Sequence, residues 1–215
     1  MILSILFLPL LFAADPPAPE IWNFDRLDKI GGHTTTVLGH PKVIQTPKGK
    51  AIEFNGVDDA IYVDVHPLAG AAAFTWEVIF KPYSTGKPEQ RFFHMQSRVP
   101  EETQNRLLFE TRLIDGKWCL DSFAASDAGS KPLIDRTKLH TLDEWHHVAQ
   151  TYDGKTYRHY IDGVLQGEAE VKLSPQGKGQ TSIGTRINKV DYFTGAVLKA
   201  RMMRRAISPD QFMKP

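Results

Sequence analysis

Glu110 and Arg112 stand two positions apart in the alternating run of residues 107–113. On a strand, that spacing puts a carboxylate and a guanidinium side by side on one face. Leu108 shares their face, while Leu107, Phe109 and Leu113 share the other with Thr111. Residues 74–80 alternate as clearly, with Phe74, Trp76, Val78 and Phe80 on one face and Glu77 on the other. If the bulky faces point into a core, Phe93 and Met95 pack inward by the same parity, and Phe92, His94 and Gln96 turn outward. If Trp118 and Leu120 pack inward, Cys119, Asp121 and Phe123 face outward, and His159 precedes Tyr160 on a further strand. Should these strands be neighbours in one sheet, its outer floor would hold Glu77, His94, Gln96, Glu110, Arg112 and Asp121, joined by His159.

Such a floor suits sugars. Carboxylates and amides exchange hydrogen bonds with hydroxyl groups, and aromatic faces such as Phe92 or Trp118 can stack on pyranose rings. Two reactions are also conceivable. Glycoside hydrolysis needs two carboxyl groups flanking the bond, which Glu77 and Glu110 could provide. Proton abstraction beside a uronate needs a His or Tyr base with Arg and Gln to neutralise the acid, and His94, Gln96, Arg112 and Tyr160 are of those types. The plainer alternative is a cross-strand ion-pair network on a solvated face. Adjacent His146 and His147 point to opposite faces of a strand, so they are read as packing and hydrogen-bonding residues rather than as ligands of one metal. Ser97, Ser122 and Ser126 lack the glycine context of a nucleophile elbow.

The elements that must position these side chains are short. The 215 residues carry a net charge of +1 with both signs dispersed, so a nucleic-acid partner is not expected. Residues 1–14, MILSILFLPLLFAA, are apolar but too short to span a bilayer. They read as a secretory signal ending in Ala13 and Ala14, although no basic residue precedes the run and Phe12 is large; an apolar first strand or a membrane-anchoring stub is the alternative. Residues 15–20 form a Pro-rich spacer, and residues 21–215 one domain. The expected location is secreted or periplasmic, with no membrane segment after cleavage. Cys119 is the only cysteine, which excludes an internal disulfide and is read as a packing residue.

From Ile21 onward, short strand candidates alternate with turns, the pattern of an all-β sandwich or barrel. Asp115-Gly116, Asp153-Gly154 and Asp162-Gly163 mark turns, the first joining residues 107–113 and 118–123 in a hairpin. Ser208, Pro209 and Gln211 predict one helical turn at the C-terminus, capped by Ser208. Thr141 and Glu144 match capping-box spacing, but a strand follows at once.

Several segments resemble the laminin-G-like branch of the concanavalin-A-type lectin and glucanase jelly rolls. Residues 51–59, AIEFNGVDD, look like the early hairpin of that family, and residues 74–82, FTWEVIFKP, like its next long strand. Residues 145–154, WHHVAQTYDG, are the most specific match and are followed by Tyr160-Ile161-Asp162-Gly163. Ser182-Ile183-Gly184, Phe193-Thr194-Gly195 and residues 206–212, AISPDQF, complete the order. The resemblance implies an all-β, antiparallel two-sheet jelly-roll sandwich, with its sheets packed face to face and a concave face available to ligands.

Two departures matter. The Asp-Glu pair that often follows the late Phe-x-Gly is replaced by Leu198 and Lys199. Many relatives hold calcium, for which Asp25, Asp28, Asp58 and Asp59 could offer carboxylates. Turn chemistry is the alternative for Asp58 and Asp59, and no cofactor is the leading expectation. The Glu-x-Asp-x-x-Glu strand motif of sandwich glucanases is absent, and the alginate-lyase motifs are not reproduced. The leading expectation is therefore an exported module that binds a glycan or polysaccharide without transforming it. A polysaccharide-active enzyme using the concave face, or a protein-interaction module, are the alternatives.

Overall fold

The computed structural model describes residues 17–99 and 104–214. Sixteen strands form among them. In chain order these are β1 (Glu20–Asn23), β2 (Lys29–Ile30), β3 (His33–Leu38), β4 (Lys42–Thr46), β5 (Gly49–Asn55), β6 (Ala60–Val63), β7 (Phe74–Pro82) and β8 (Glu89–Ser97). There follow β9 (Arg106–Ile114), β10 (Lys117–Ser126), β11 (Gly129–Ile134), β12 (His146–Tyr152), β13 (Thr156–Ile161), β14 (Val164–Glu170), β15 (Gly179–Ile183) and β16 (Thr194–Met203). A 3-10 turn, Pro209–Gln211, is the only helical element among the described residues. One sheet runs β14-β13-β12-β7-β16-β5-β4, with β1 pairing alongside β16; the other runs β11-β10-β9-β8-β15-β6-β3-β2. The pairings are antiparallel. The result is the two-sheet jelly-roll sandwich that the sequence predicts.

The core lies between the sheets and is built by alternation. Phe74, Trp76, Val78 and Phe80 of β7 meet Phe93 and Met95 of β8, Leu107 and Phe109 of β9, and Trp118 and Leu120 of β10. Trp76 packs on Phe109 and Phe93 with ring centroids 4.4 and 5.1 Å apart. Such aromatic pairs add about 0.5–1.5 kcal/mol each beyond their buried area. The β9–β10 hairpin closes at Asp115-Gly116, where φ is +49° and +71°. Both residues take the left-handed conformation that a tight two-residue turn requires, which fixes the register of everything above it.

Four expectations are corrected here. Phe92 does not face outward: β8 bulges between Arg91 and Phe93, so Phe92 joins Phe93 inside and stacks on Phe80 at 4.2 Å. Trp118 is likewise buried, its Nε1 donating to the Thr141 carbonyl at 2.9 Å, and neither ring can meet a sugar. Residues 51–59 are not a hairpin, because β5 and β6 belong to different sheets and the chain crosses between them. At the C-terminus, Pro209 opens the expected turn, but the Ser208 side chain does not cap it. The expected leader lies outside the described residues. No helix among those described is long and apolar enough to cross a membrane.

Candidate functional site

β9 sits between β8 and β10, and the register of this trio assembles a charged cleft on the outer face of their sheet. Asp121 lies directly across from Glu110 on one side, and Arg91 on the other. Arg112 clamps the two acids, with Nη2 2.7 Å from Glu110 Oε2 and 2.6 Å from Asp121 Oδ2, and Nε 2.9 Å from the same Asp121 oxygen. Arg91 donates from Nε to Glu110 Oε1 at 3.2 Å and also pairs with Glu89 and Asp191. Glu89 closes the ring by pairing with Arg112. The cleft encloses about 230 Å³ and is completed by Arg106, Leu108, Phe123, Pro132 and Arg186.

Burial pushes the Glu110 carboxyl up to about 7, reinforced by the negative charge of Asp121 and opposed by Arg91. Two acids that share one guanidinium across a strand pair cannot both be cheaply charged. His94 and Gln96 belong to β8 of the same sheet, but His94 is wholly buried. Its Nδ1 accepts the Ile187 N–H at 3.0 Å, and burial, then Arg186 and Arg106, hold it neutral, far below the ordinary histidine value. It is not a reachable base. Gln96 pairs in register with Arg106 and Gln180.

The structure separates Glu77 from this group. β7 pairs with β12 and β16, so Glu77 lies on the outer face of the opposite sheet. There it accepts His147 Nε2 at 2.9 Å, the Arg201 guanidinium, and the Met213 N–H at 2.7 Å. Burial works to raise its pKa, but these donors outweigh it and hold the carboxyl below its ordinary value. Phe212 covers the spot, packing on His147 and Tyr160 at 5.4 and 5.2 Å. Glu77 and Glu110 therefore cannot flank one glycosidic bond. Tyr160, beneath Phe212, cannot work with His94. His159 is also misplaced by parity: it is on β13 of that same sheet and points between the sheets, its Nδ1 3.1 Å from Ser122 Oγ.

A family model for the concanavalin A-like lectin/glucanases superfamily, of laminin-G type, matches residues 55–212. The chain belongs to that superfamily. No curated protein sequence matches it. Among solved structures it is similar to domain 4 of AbnA, an extracellular arabinanase of Geobacillus stearothermophilus solved with arabinotriose. That match has 19% identity, a TM-score of 0.63, and covers 89% of this chain and 94% of that one. The heptameric pentraxin of Limulus polyphemus matches at 18% identity and TM-score 0.55, over 81% of this chain and 78% of that one. Trypanosoma rangeli sialidase, solved with the inhibitor DANA, matches at 12% identity and TM-score 0.61 over 88% of this chain but only 31% of its own. At these identities the likeness is one of fold.

The calcium that many laminin-G-like domains hold finds poor ligands here. Asp59 spends one oxygen on the His40 N–H at 2.6 Å and the other on the Asn55 N–H at 3.0 Å. Asp58 accepts from the Asn55 amide at 2.7 Å, which makes both residues part of a turn. Asp25 lines a different cleft among Lys48, Lys50, Lys199 and Lys214. That arrangement does not fit the shell of several oxygens that calcium takes. Among the described residues no three His, Cys, Asp or Glu side chains are grouped to hold a metal.

Sequence parity found Glu110, Arg112, Asp121 and Phe123, and missed Arg91, Arg106, Glu89, Arg186 and Asp191. Arg106 was recoverable, since it continues the Leu108, Glu110, Arg112 face by one step. Arg91 was hidden by the bulge, and Arg186 and Asp191 by a loop that only the folded chain brings over β8.

Proposed function

We propose that the chain is a carbohydrate-binding jelly-roll module whose ligand lies on the outer face of β8, β9 and β10. The carrying observation is the cleft itself, where Arg91, Glu110, Arg112 and Asp121 are locked in one network beside the ring of Phe123. Charged groups fixed by one another present hydrogen-bond donors and acceptors without further loss of side-chain entropy, as recognition of hydroxyl groups requires. The arabinotriose complex of a domain with the same fold supports this reading.

Catalysis is the second reading, and the raised Glu110 carboxyl favours it. Geometry weighs against it. Arg112 occupies the space between the two acids, where a hydrolase needs the scissile oxygen. The histidine on the adjacent strand, His94, is sealed under the loop at Ile187.

Calorimetric titration of the protein with neutral and acidic oligosaccharides tests the proposal, with product analysis of each mixture. The expected result is saturable binding without turnover, weakened by about tenfold or more in Phe123→Ala and in Arg112→Ala. Phe123 is half-buried at the rim, so its variant keeps the test valid if loss of Arg112 disturbs folding. Binding that neither change affects would move the site elsewhere, and released product would replace the module with an enzyme.

A further inference from the structure

Four arginines line the cleft, and among the described residues two of them form salt bridges. Arg91 is held by Glu89, Glu110 and Asp191, and Arg112 by Glu89, Glu110 and Asp121. Arg106 and Arg186 form no salt bridge with a described residue. Arg106 lies over the Phe123 ring, with Cζ 4.8 Å from the centroid, and its Nη1 donates to the carbonyl and side-chain oxygens of Gln104 at 3.0 and 3.1 Å. Its Nε is buried with no hydrogen-bond partner among the described residues. Arg186 reaches the cleft from the segment between β15 and β16. Burial first, and then the charge of Arg186, lower the Arg106 pKa, which marks the two cations as mutually unfavourable neighbours.

Glu110 is within Coulombic reach of both guanidiniums, but neither makes a direct salt bridge among the described residues, and one is backed by an aromatic ring, a combination suited to an anion. A planar fork matches a carboxylate or a sulfate oxygen pair, and partial burial strengthens the bond. The acids of the cleft make their direct ion pairs with Arg91 and Arg112 instead. We propose that Arg106 and Arg186 form a subsite for the acidic substituent of an anionic saccharide, a carboxylate or a sulfate ester, with Phe123 backing the Arg106 guanidinium and Pro132 lining the cleft beside it. This rests on the carbohydrate reading and narrows its ligand class.

The test is calorimetry of the full chain with tetragalacturonate, with its carboxyl-reduced neutral form, and with a sulfated version of that neutral form. An acidic probe is expected to bind about tenfold tighter than the neutral one, with a preference that shrinks as salt rises. The acidic probe that shows the preference tells whether carboxylate or sulfate is the natural chemistry. Arg186→Gln, on a loop, and Arg106→Gln should each reduce the preference to about threefold or less, while Arg→Lys at either position restores only part of it.

The competing basic surface is the cleft of Lys48, Lys50, Lys199 and Lys214, so Lys50→Gln with Lys199→Gln should leave the preference intact. If the lysine changes abolish it and the arginine changes do not, the proposal is overturned. If neutral and acidic probes bind alike, and Phe123→Ala weakens both, the anion subsite falls and the carbohydrate reading stands. Should no probe bind at all, both fall together.

Discussion

Glu77 and Glu110 occupy equivalent places in opposite sheets. Each is on the middle strand of a trio, β12-β7-β16 or β8-β9-β10, each faces away from the core, and each is buried and bonded to arginine. Their surroundings then diverge. Glu77 meets donors on every side, namely His147, Arg201 and the Met213 backbone, and the C-terminal segment lies over it with Phe212. Glu110 has two arginines where Glu77 has one, but it faces a second acid, Asp121, and among the described residues its cleft carries no cover like Phe212. One carboxyl is held low and the other pushed up to about 7. A buried carboxylate surrounded only by donors acts as a clasp. A buried carboxyl that shares its arginine with another acid is held less firmly in the charged form.

Glu77→Ala is expected to have the largest effect on stability. It strands His147 and Arg201 without their acid and frees the Met213 N–H. Removing one partner of a buried ion pair costs about 3–5 kcal/mol, which for a chain of this size lowers the unfolding midpoint by roughly 6–20 °C. Scanning calorimetry should show that loss, while saccharide affinity measured well below the transition stays unchanged. A weakened affinity with intact stability would mean that the two acids had been assigned the wrong way round.

Phe212→Ala probes the same clasp more gently. Phe212, Ala149 and Tyr160 form a small apolar cluster outside the main core, with Ile207 packed against it. Truncating a ring at the surface of the sheet should cost less than the 3–5 kcal/mol of a central phenylalanine, on the order of 2 kcal/mol. Hydrogen exchange should reveal faster opening of the Met213 amide, with the β8–β10 hairpins unaffected. Equal loosening of both sheets would show that the C-terminal segment is part of the main cooperative unit.

How much of this was legible beforehand follows from what alternation encodes. Period-two patterning told which way Trp76, Glu77, Phe109 and Glu110 point, and those orientations are correct. It carries no information on which strands pair, so it cannot separate Glu77 from residues that lie on the far side of the sandwich. Two further misplacements have local causes. The bulge beside Arg91 turns Phe92 inward and hides an arginine of the site. His159 faces the opposite sheet because, in the β13 register, it shares the inward face with Tyr157. Arg186 and Asp191 enter the cleft from a segment without periodicity, where no pattern in the sequence could have announced them.

The mildest test uses protons. Glu110 is raised above its ordinary value of 4.5, so between 4.5 and about 7 the folded protein holds a proton that the unfolded chain has released. Stability must therefore fall as pH rises through that window. His146 acts in the same direction. Burial works to lower its pKa, but Asp162 at 2.8 Å and the Thr141 carbonyl at 2.9 Å raise it above 6.5, so its contribution is full below 6.5 and is lost as pH climbs through its folded value. Glu77 and Asp162 have the opposite sign: both are depressed, and their contribution is lost as pH falls below the ordinary carboxylate range. The two slopes place maximum stability near pH ~5. Glu110→Gln removes the acid's share of the neutral-side slope, stabilising the protein at pH ~8 by about 2–3 kcal/mol relative to its effect at pH ~5. Chemical denaturation at the two pH values measures this directly. An unchanged slope in the variant would place the Glu110 carboxyl in the ionised state throughout, held there by Arg91 and Arg112, and the two clusters would then differ only in their cover.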